Sequence, residues 1–415
     1  MTFLLFTIDR FKYFDVSIYR PIAVFFLVLI FFILLLSNNL KINRIIKSFF
    51  MFVCYVLVHN LIIFTGIEVS RGNLLVNIMT LLVGSVVFIV FSNISFIMAE
   101  NKGYSKIVHT SSLFIFFILV GIGFLQTTNQ LLGVFSFIDK ITGAITENVY
   151  TARVQLLSGE PSWATMHMLT FGFLFIGFYT KTKRKIFLVI TIAISVIFFF
   201  SLSFYGYTVL FLSFFIFLIV SKKVKPVYII TFIVGAILII ALLPIIINSL
   251  GIDNYSSGRF LKLNNIHSIE DLLYIDGSFF VRIVFPIIGV LNFTDSPLFG
   301  VGGGQSFINL KEFITLYFDK GLIYPEVYNN VYINPEVFTP RNLFAKILGE
   351  EGLIGFLLYI FFLVRIYIKA KHNSTELFAF SLVLSIMMNF DSYMTIDIWL
   401  LLGMINGGYF SAKKE

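Results

Sequence analysis

Residues 159–185 read GEPSWATMHMLTFGFLFIGFYTKTKRK, and the order of residue types in this stretch decides the fold. Pro161 suits the first turn of a helix, where a missing N–H costs nothing, and Glu160 before it suits the positive helix start. Trp163 suits a membrane interface. The apolar run that follows, placed at about 162–180, approaches the roughly 20 residues that a helix needs to cross the hydrocarbon of a bilayer. It closes on the basic cluster KTKRK. A helix enters the membrane near Trp163 and leaves it at a positively charged turn.

The rest of the chain repeats this pattern. Of its 415 residues 58% are hydrophobic, 53 are phenylalanine and only 13% are charged. The mean hydropathy is +0.95. Such a composition excludes a water-soluble globule. Further spans are predicted at about 20–37, 49–67, 74–98, 113–132, 186–205, 207–221, 227–250, 342–364, 376–391 and 394–411, which makes about eleven. Long apolar runs, and not alternating ones, fit helices and exclude an outer-membrane barrel. The predicted fold is therefore all-α, a polytopic integral membrane bundle. The single cysteine, Cys54, lies in an apolar run, so neither a disulfide framework nor a cysteine metal site is expected. The amino-terminal MTFLLFTIDRFKYFDVSIYR lacks the basic start and long apolar centre of a cleaved signal, and reads as an interfacial lead-in or the remnant of a further span.

Lysine and arginine set the orientation where connections are short. KINRIIK, ENKGYSK, KTKRK, SKKVKP, RIYIKAKHN and SAKKE hold most of them and are expected in the cytoplasm. The connections on the other side hold fewer in far more residues and are expected to face outward. The net charge of +8 is thus a topology signal and no nucleic-acid patch. The chain divides into a first block, 1–250, with eight spans and an outer loop at about 128–161. A large outer loop at 251–341 and a last block, 342–415, with three spans and a short tail follow. A loop of that length exceeds what a compact connector needs, and function is expected there. Inside it, GSFFVRIVFPIIGVLNF is apolar apart from Arg282 and contains Pro286. It is expected to be a helix along the interface or tucked into the bundle mouth.

GVGGGQ, which follows at 300–305, is no nucleotide cradle. A dinucleotide fingerprint needs a preceding strand, and a P-loop needs a lysine and a hydroxyl residue at its end. The glycines are expected to let the backbone turn tightly and pass close to a neighbouring helix or ligand. No HExxH occurs and the five histidines are scattered, so no metal and no cofactor is expected.

The charged residues that remain carry the chemistry. Arg153, Arg259, Arg282 and Arg341 all belong to the two long connections or their junctions with spans. A guanidinium binds phosphate oxygens bidentately and keeps its charge, so several at one mouth suit a lipid-linked pyrophosphate. They would also stabilise the charge that develops on a departing pyrophosphate. A carboxylate could then activate an attacking hydroxyl; Glu160 leads and His167, two turns on, follows. The plainer alternative is that Glu160 caps a helix, Arg153 snorkels to headgroups and His167 is satisfied by a neighbouring helix.

At this point the residues resemble a known family, the bacterial O-antigen polymerases of the Wzy type and the related O-antigen ligases. RVQLLSGEPSWA looks like the arginine and Glu-Pro-Ser of the polymerases. VRIVFPIIGVLNFTDSPLFGVGGGQSF is similar to the family's arginine, apolar helix, Ser-Pro-Leu and Gly-x-Gly run. RNLFAKILGEEGLIGF resembles the segment opening the next span. The resemblance covers most of the chain in architecture, and about 60 residues in motifs. It implies a periplasmic glycosyltransferase of the inner membrane that moves a growing glycan from undecaprenyl pyrophosphate to the sugar hydroxyl of another lipid-linked repeat. Arg153 and Arg282 would hold the pyrophosphate or sugar, with Arg259 a third. Arg341 stands where the ligases usually have histidine, which weakens the ligase reading and leaves a binding role. Where the family commonly has about twelve spans this chain shows about eleven, and the missing one is the first. A chain-length regulator is an implied protein partner. The rival class is a flippase or other transporter, which would place ionisable groups at mid-membrane depth. Few are expected there; Glu350 and Glu351 are the exceptions, and Lys346 can pair with Glu350 at i, i+4 spacing.

Overall fold

The computed structural model describes residues 7–12, 22–65, 70–146, 148–150, 153–201, 203–221, 227, 230, 234–235 and 268–411. Among them the regular structure is helical, and the one extended pairing is an isolated bridge between Phe11 and Thr146. The helices are α1 (Ala23–Leu36), α2 (Arg44–Ile63), α3 (Arg71–Glu100), α4 (Lys102–Leu132), α5 (Phe137–Ile145), α6 (Pro161–Thr182), α7 (Lys185–Phe200) and α8 (Phe204–Val220). They continue with α9 (Ile269–Leu273), α10 (Gly277–Asp295), α11 (Leu310–Tyr317), α12 (Pro325–Tyr328), α13 (Leu343–Ala370), α14 (Ser374–Met387) and α15 (Ile396–Gly407). Helices occupy ten of the eleven predicted stretches. The eleventh, 227–250, lies largely outside the described residues, as does Arg259. Five helices, α2, α3, α4, α10 and α13, are long and apolar enough to cross a membrane. Together with the exposed leucine, isoleucine and phenylalanine on their outer faces, they mark a membrane-embedded protein.

Local chemistry sets the helix ends. Asn43, Asn101, Ser203, Asp276, Asn342 and Asn373 each accept hydrogen bonds from backbone N–H groups in the first turn of the helix that they precede. The α6 helix stops where Lys183 takes a left-handed backbone, φ 58°, in the basic turn.

In a bilayer apolar side chains gain little by leaving lipid, so helices associate through close packing and hydrogen bonds. The α3–α15 pair shows both. A Cβ on Gly407 would meet Ser95 Cβ at 2.1 Å and one on Gly403 would meet Phe91 Cβ at 2.5 Å, so these two glycines, four apart, bring the backbones together. Ser95 Oγ donates to the Met404 carbonyl at 3.0 Å, and Asn406 donates to Ser92 Oγ at 3.0 Å. Around this pair α1, α2, α6, α13 and α14 close a core that includes Phe49, Phe88, Tyr359 and Trp399, all buried.

The long connection before α13 has its own core. Phe280, Val284, Phe285 and Ile288 of α10 bury against Leu310, Ile314, Val327, Val331 and Phe338. Pro286 sits inside α10, which continues through it. The other face of α10 packs on α13, so the segment is a bundle helix with proline in it and not a loop.

GVGGGQ closes this region onto α13. Val301 N donates to the Gly349 carbonyl and Gly302 N to the Glu350 carbonyl, both at 2.9 Å. A Cβ on Gly300, at φ 77°, would meet the Glu350 carbonyl at 2.4 Å, so close backbone passage is the reason for the glycines. Glu350 and Glu351 are buried here. Ser306 Oγ donates to Glu350 at 2.5 Å, and Glu351 lies 2.9 Å from His59 Nδ1 of α2. Lys346 Nζ is 4.0 Å from Glu350, the expected i, i+4 pair. Glu350 anchors the glycine turn directly, and Glu351 does so through Asn60, which donates to it at 3.3 Å and accepts from Gly303 N at 2.7 Å.

Candidate functional site

One end of the bundle, opposite the KTKRK turn of α6, opens into a cavity of about 870 Å³. Its cationic lining is Arg10, Arg153, Arg282 and Arg341, and its acidic lining is Glu160, Asp276, Glu326 and Asp391. Tyr205 and Thr208 of α8, its N-cap Ser203, Trp163 of α6 and Phe390 are among the wall residues.

The charged groups come from several elements. Arg282 rises from the second turn of α10. Its Nη1 donates to the Ser278 carbonyl at 3.1 Å, and its guanidinium lies 4.8 Å from the ring centre of Tyr205. That cation–π contact fixes the fork against the first turn of α8 without using up its hydrogen-bond donors. Pro286 cannot donate to the Arg282 carbonyl four residues back, so a backbone acceptor is freed at this level of the helix.

Arg341 precedes α13 with a left-handed backbone at φ 56°, an unfavourable conformation for a residue with a Cβ. Its N–H donates to Asp391 Oδ2 at 2.7 Å, which holds that conformation. Its guanidinium donates to Glu326 Oε1 at 2.5 Å, in an ion pair whose side chains are 38% and 41% exposed. Asp276 caps α10 through Phe279 N at 3.0 Å.

Glu160 differs from these three carboxylates. It occupies the N-cap position of α6, where its carbonyl accepts from Trp163 N and Ala164 N at 3.1 Å, but its side chain makes no cap hydrogen bond. The carboxylate accepts from Ser162 Oγ at 3.3 Å and faces the cavity. Burial pushes its proton affinity above the usual glutamate range, against the opposing pull of Arg341 and Arg282. A partly buried carboxylate with raised basicity beside cations is suited to take a proton from a hydroxyl.

The fold therefore brings Arg153, Arg282, Arg341 and Glu160 together. His167 is placed elsewhere. It is fully buried behind the cavity wall, with Nε2 at 3.1 Å from Asp9 Oδ2 and Nδ1 at 2.9 Å from Asp397 Oδ2 of α15. The plain alternative fits in part: Asp9 engages one ring nitrogen, and Asp397 lies beside the other without hydrogen-bond geometry. Arg10, Tyr205 and Asp391 were missed by sequence reasoning. The adjacent charges Asp9 and Arg10, which break the apolar run that opens the chain, were the signal for Arg10; Tyr205 and Asp391 carried none.

Fold and site together define an all-helical membrane-embedded protein with a cavity, rich in arginine, at one end of its bundle. No protein-family model matches the chain, and no curated protein matches it.

Proposed function

We propose that this protein is a membrane glycosyltransferase of the O-antigen polymerase type, which joins undecaprenyl-pyrophosphate-linked repeat units into a surface polysaccharide such as O-antigen. In this reading the bundle has about eleven spans in a bacterial inner membrane. The basic turns lie in the cytoplasm, and the cavity opens to the periplasm. The supporting observation is the convergence on one cavity of Arg153 and Glu160 from the connection before α6, Arg282 from α10 and Arg341 from the start of α13.

The reaction follows from those groups. An acceptor sugar hydroxyl attacks the anomeric carbon of the donor glycan, and the bond from that carbon to the pyrophosphate oxygen breaks. Glu160 takes the hydroxyl proton. The pyrophosphate leaves with the bonding electron pair, and Arg153 and Arg282 stabilise its growing charge. Arg341 serves binding, and exchanges its half-exposed Glu326 partner for a phosphate oxygen. Undecaprenyl pyrophosphate is released, and the lengthened glycan stays on the acceptor lipid. An O-antigen ligase is the nearer alternative and a lipid-linked oligosaccharide flippase the farther one.

Reconstituted vesicles separate enzyme from transporter. Vesicles holding the protein and lipid-linked repeat units are expected to yield longer lipid-linked glycans and free undecaprenyl pyrophosphate without moving sugar between leaflets. Leaflet exchange of unextended repeat units would replace this reading by transport.

A further inference from the structure

Residues 7–12 reach the same cavity by a route that the motifs do not include. Thr7 and Asp9 are fully buried. Asp9 Oδ1 accepts from Gly159 N at 2.6 Å, and Oδ2 accepts from Ser158 Oγ and lies 3.1 Å from His167 Nε2. His167 in turn meets Asp397 at 2.9 Å, so the chain from Asp9 runs through α6 to α15. Lys12 N donates to the Ile145 carbonyl at 3.1 Å and fastens the far side of the segment to the end of α5. A carboxylate buried to this depth is tolerated only with such partners. Between these two anchors stands Arg10, which lines the cavity. Its stem lies on Gly159, immediately before Glu160: a Cβ there would meet Arg10 Cβ at 2.3 Å.

We propose that Arg10 is a further anion-binding residue of the cavity and that Asp9, hooked onto Ser158, Gly159 and His167, is the positioning residue that delivers it. The anion is a pyrophosphate; that it is lipid-linked rests on the function proposed above.

The test measures binding of undecaprenyl pyrophosphate, and separately of inorganic pyrophosphate, to the purified full chain in detergent. Arg10→Ala is expected to weaken binding by roughly tenfold to a hundredfold, as loss of a hydrogen bond to a charged group does, with the melting temperature unchanged. Arg10→Lys recovers part of the loss. Gly159→Ala reproduces it by displacing the stem. Asp9→Asn weakens binding too, but adds nothing in the Arg10→Ala background, a non-additivity that a merely structural role would not give. Native affinity in Arg10→Ala overturns the inference and leaves the other arginines and the proposed function standing. A native protein that binds neither probe overturns both. Binding that depends on Arg10 without any polymerisation supports the inference and sinks the polymerase reading.

Discussion

Glu160 stands at a helix start without its side chain capping it, so the carboxylate stays turned to the cavity. If it is the base, Glu160→Gln should lower the polymerisation rate by about 10²- to 10⁴-fold and leave substrate binding near native. The pH profile carries the sign. A base works deprotonated, and burial raises the pKa of Glu160 above its usual 4.5, so the rate should fall with decreasing pH at a midpoint above that value. A rate that holds down to 4.5 would exclude Glu160 as the base. Arg341 invites a second comparison. Its ion pair with Glu326 is half exposed, so Glu326→Gln should change stability by less than about 1 kcal/mol. Asp391→Ala removes the acceptor that holds a left-handed arginine, and thermal unfolding in detergent should show the larger fall. At this scale Arg153, Arg282, Arg341 and Glu160 were legible because charges are costly in so apolar a chain. Asp391 was not, since only the folded bundle brings it near α6, and Arg10 left only its pairing with Asp9 as a sign. His167 drew notice for its position in a span, yet the carboxylates that engage it lie at opposite ends of the sequence.

Among elements, the glycine turn at 300–304 and the α10 helix gave opposite lessons. The turn was legible as close backbone passage, and the φ of 77° at Gly300 with the Glu350 carbonyl in the way of a Cβ makes the demand concrete. Gly300→Ala should therefore destabilise by about 1–3 kcal/mol, read as a lower melting temperature. A melting temperature equal to the native one would show that the turn relaxes freely. The α10 helix was read as interfacial or tucked in because proline disfavours a span. In the structure it packs on α13 along one face and carries the small core of the long connection on another, which its apolar run permits but does not specify. Helix starts were less legible: the Glu160–Pro161 start of α6 was anticipated, whereas the asparagine, serine or aspartate that precedes and caps six other helices was not singled out. Two of those caps, Asp276 and Asn342, fix the helix starts beside Arg282 and Arg341.

For the whole molecule, hydropathy made the helical membrane class legible, whereas the packing order of the helices depends on small-residue contacts such as Gly403 and Gly407 against α3 that no periodicity announces. The proposed orientation is open to labelling. With Cys54 replaced, single cysteines at Glu336 and Lys183, both exposed, should react with an impermeant reagent from opposite sides of the membrane, Glu336 from the periplasm. Labelling of both from one side would overturn the topology. The cavity's chemistry is decided by purified protein given its lipid-linked repeat unit, with product length followed on a gel. The native chain should build a ladder that persists in chelator. Arg282→Ala and Glu160→Gln, folded to the native melting temperature, should build none. A ladder of native length from both variants would contradict the assignment of this cavity as the site of glycosyl transfer.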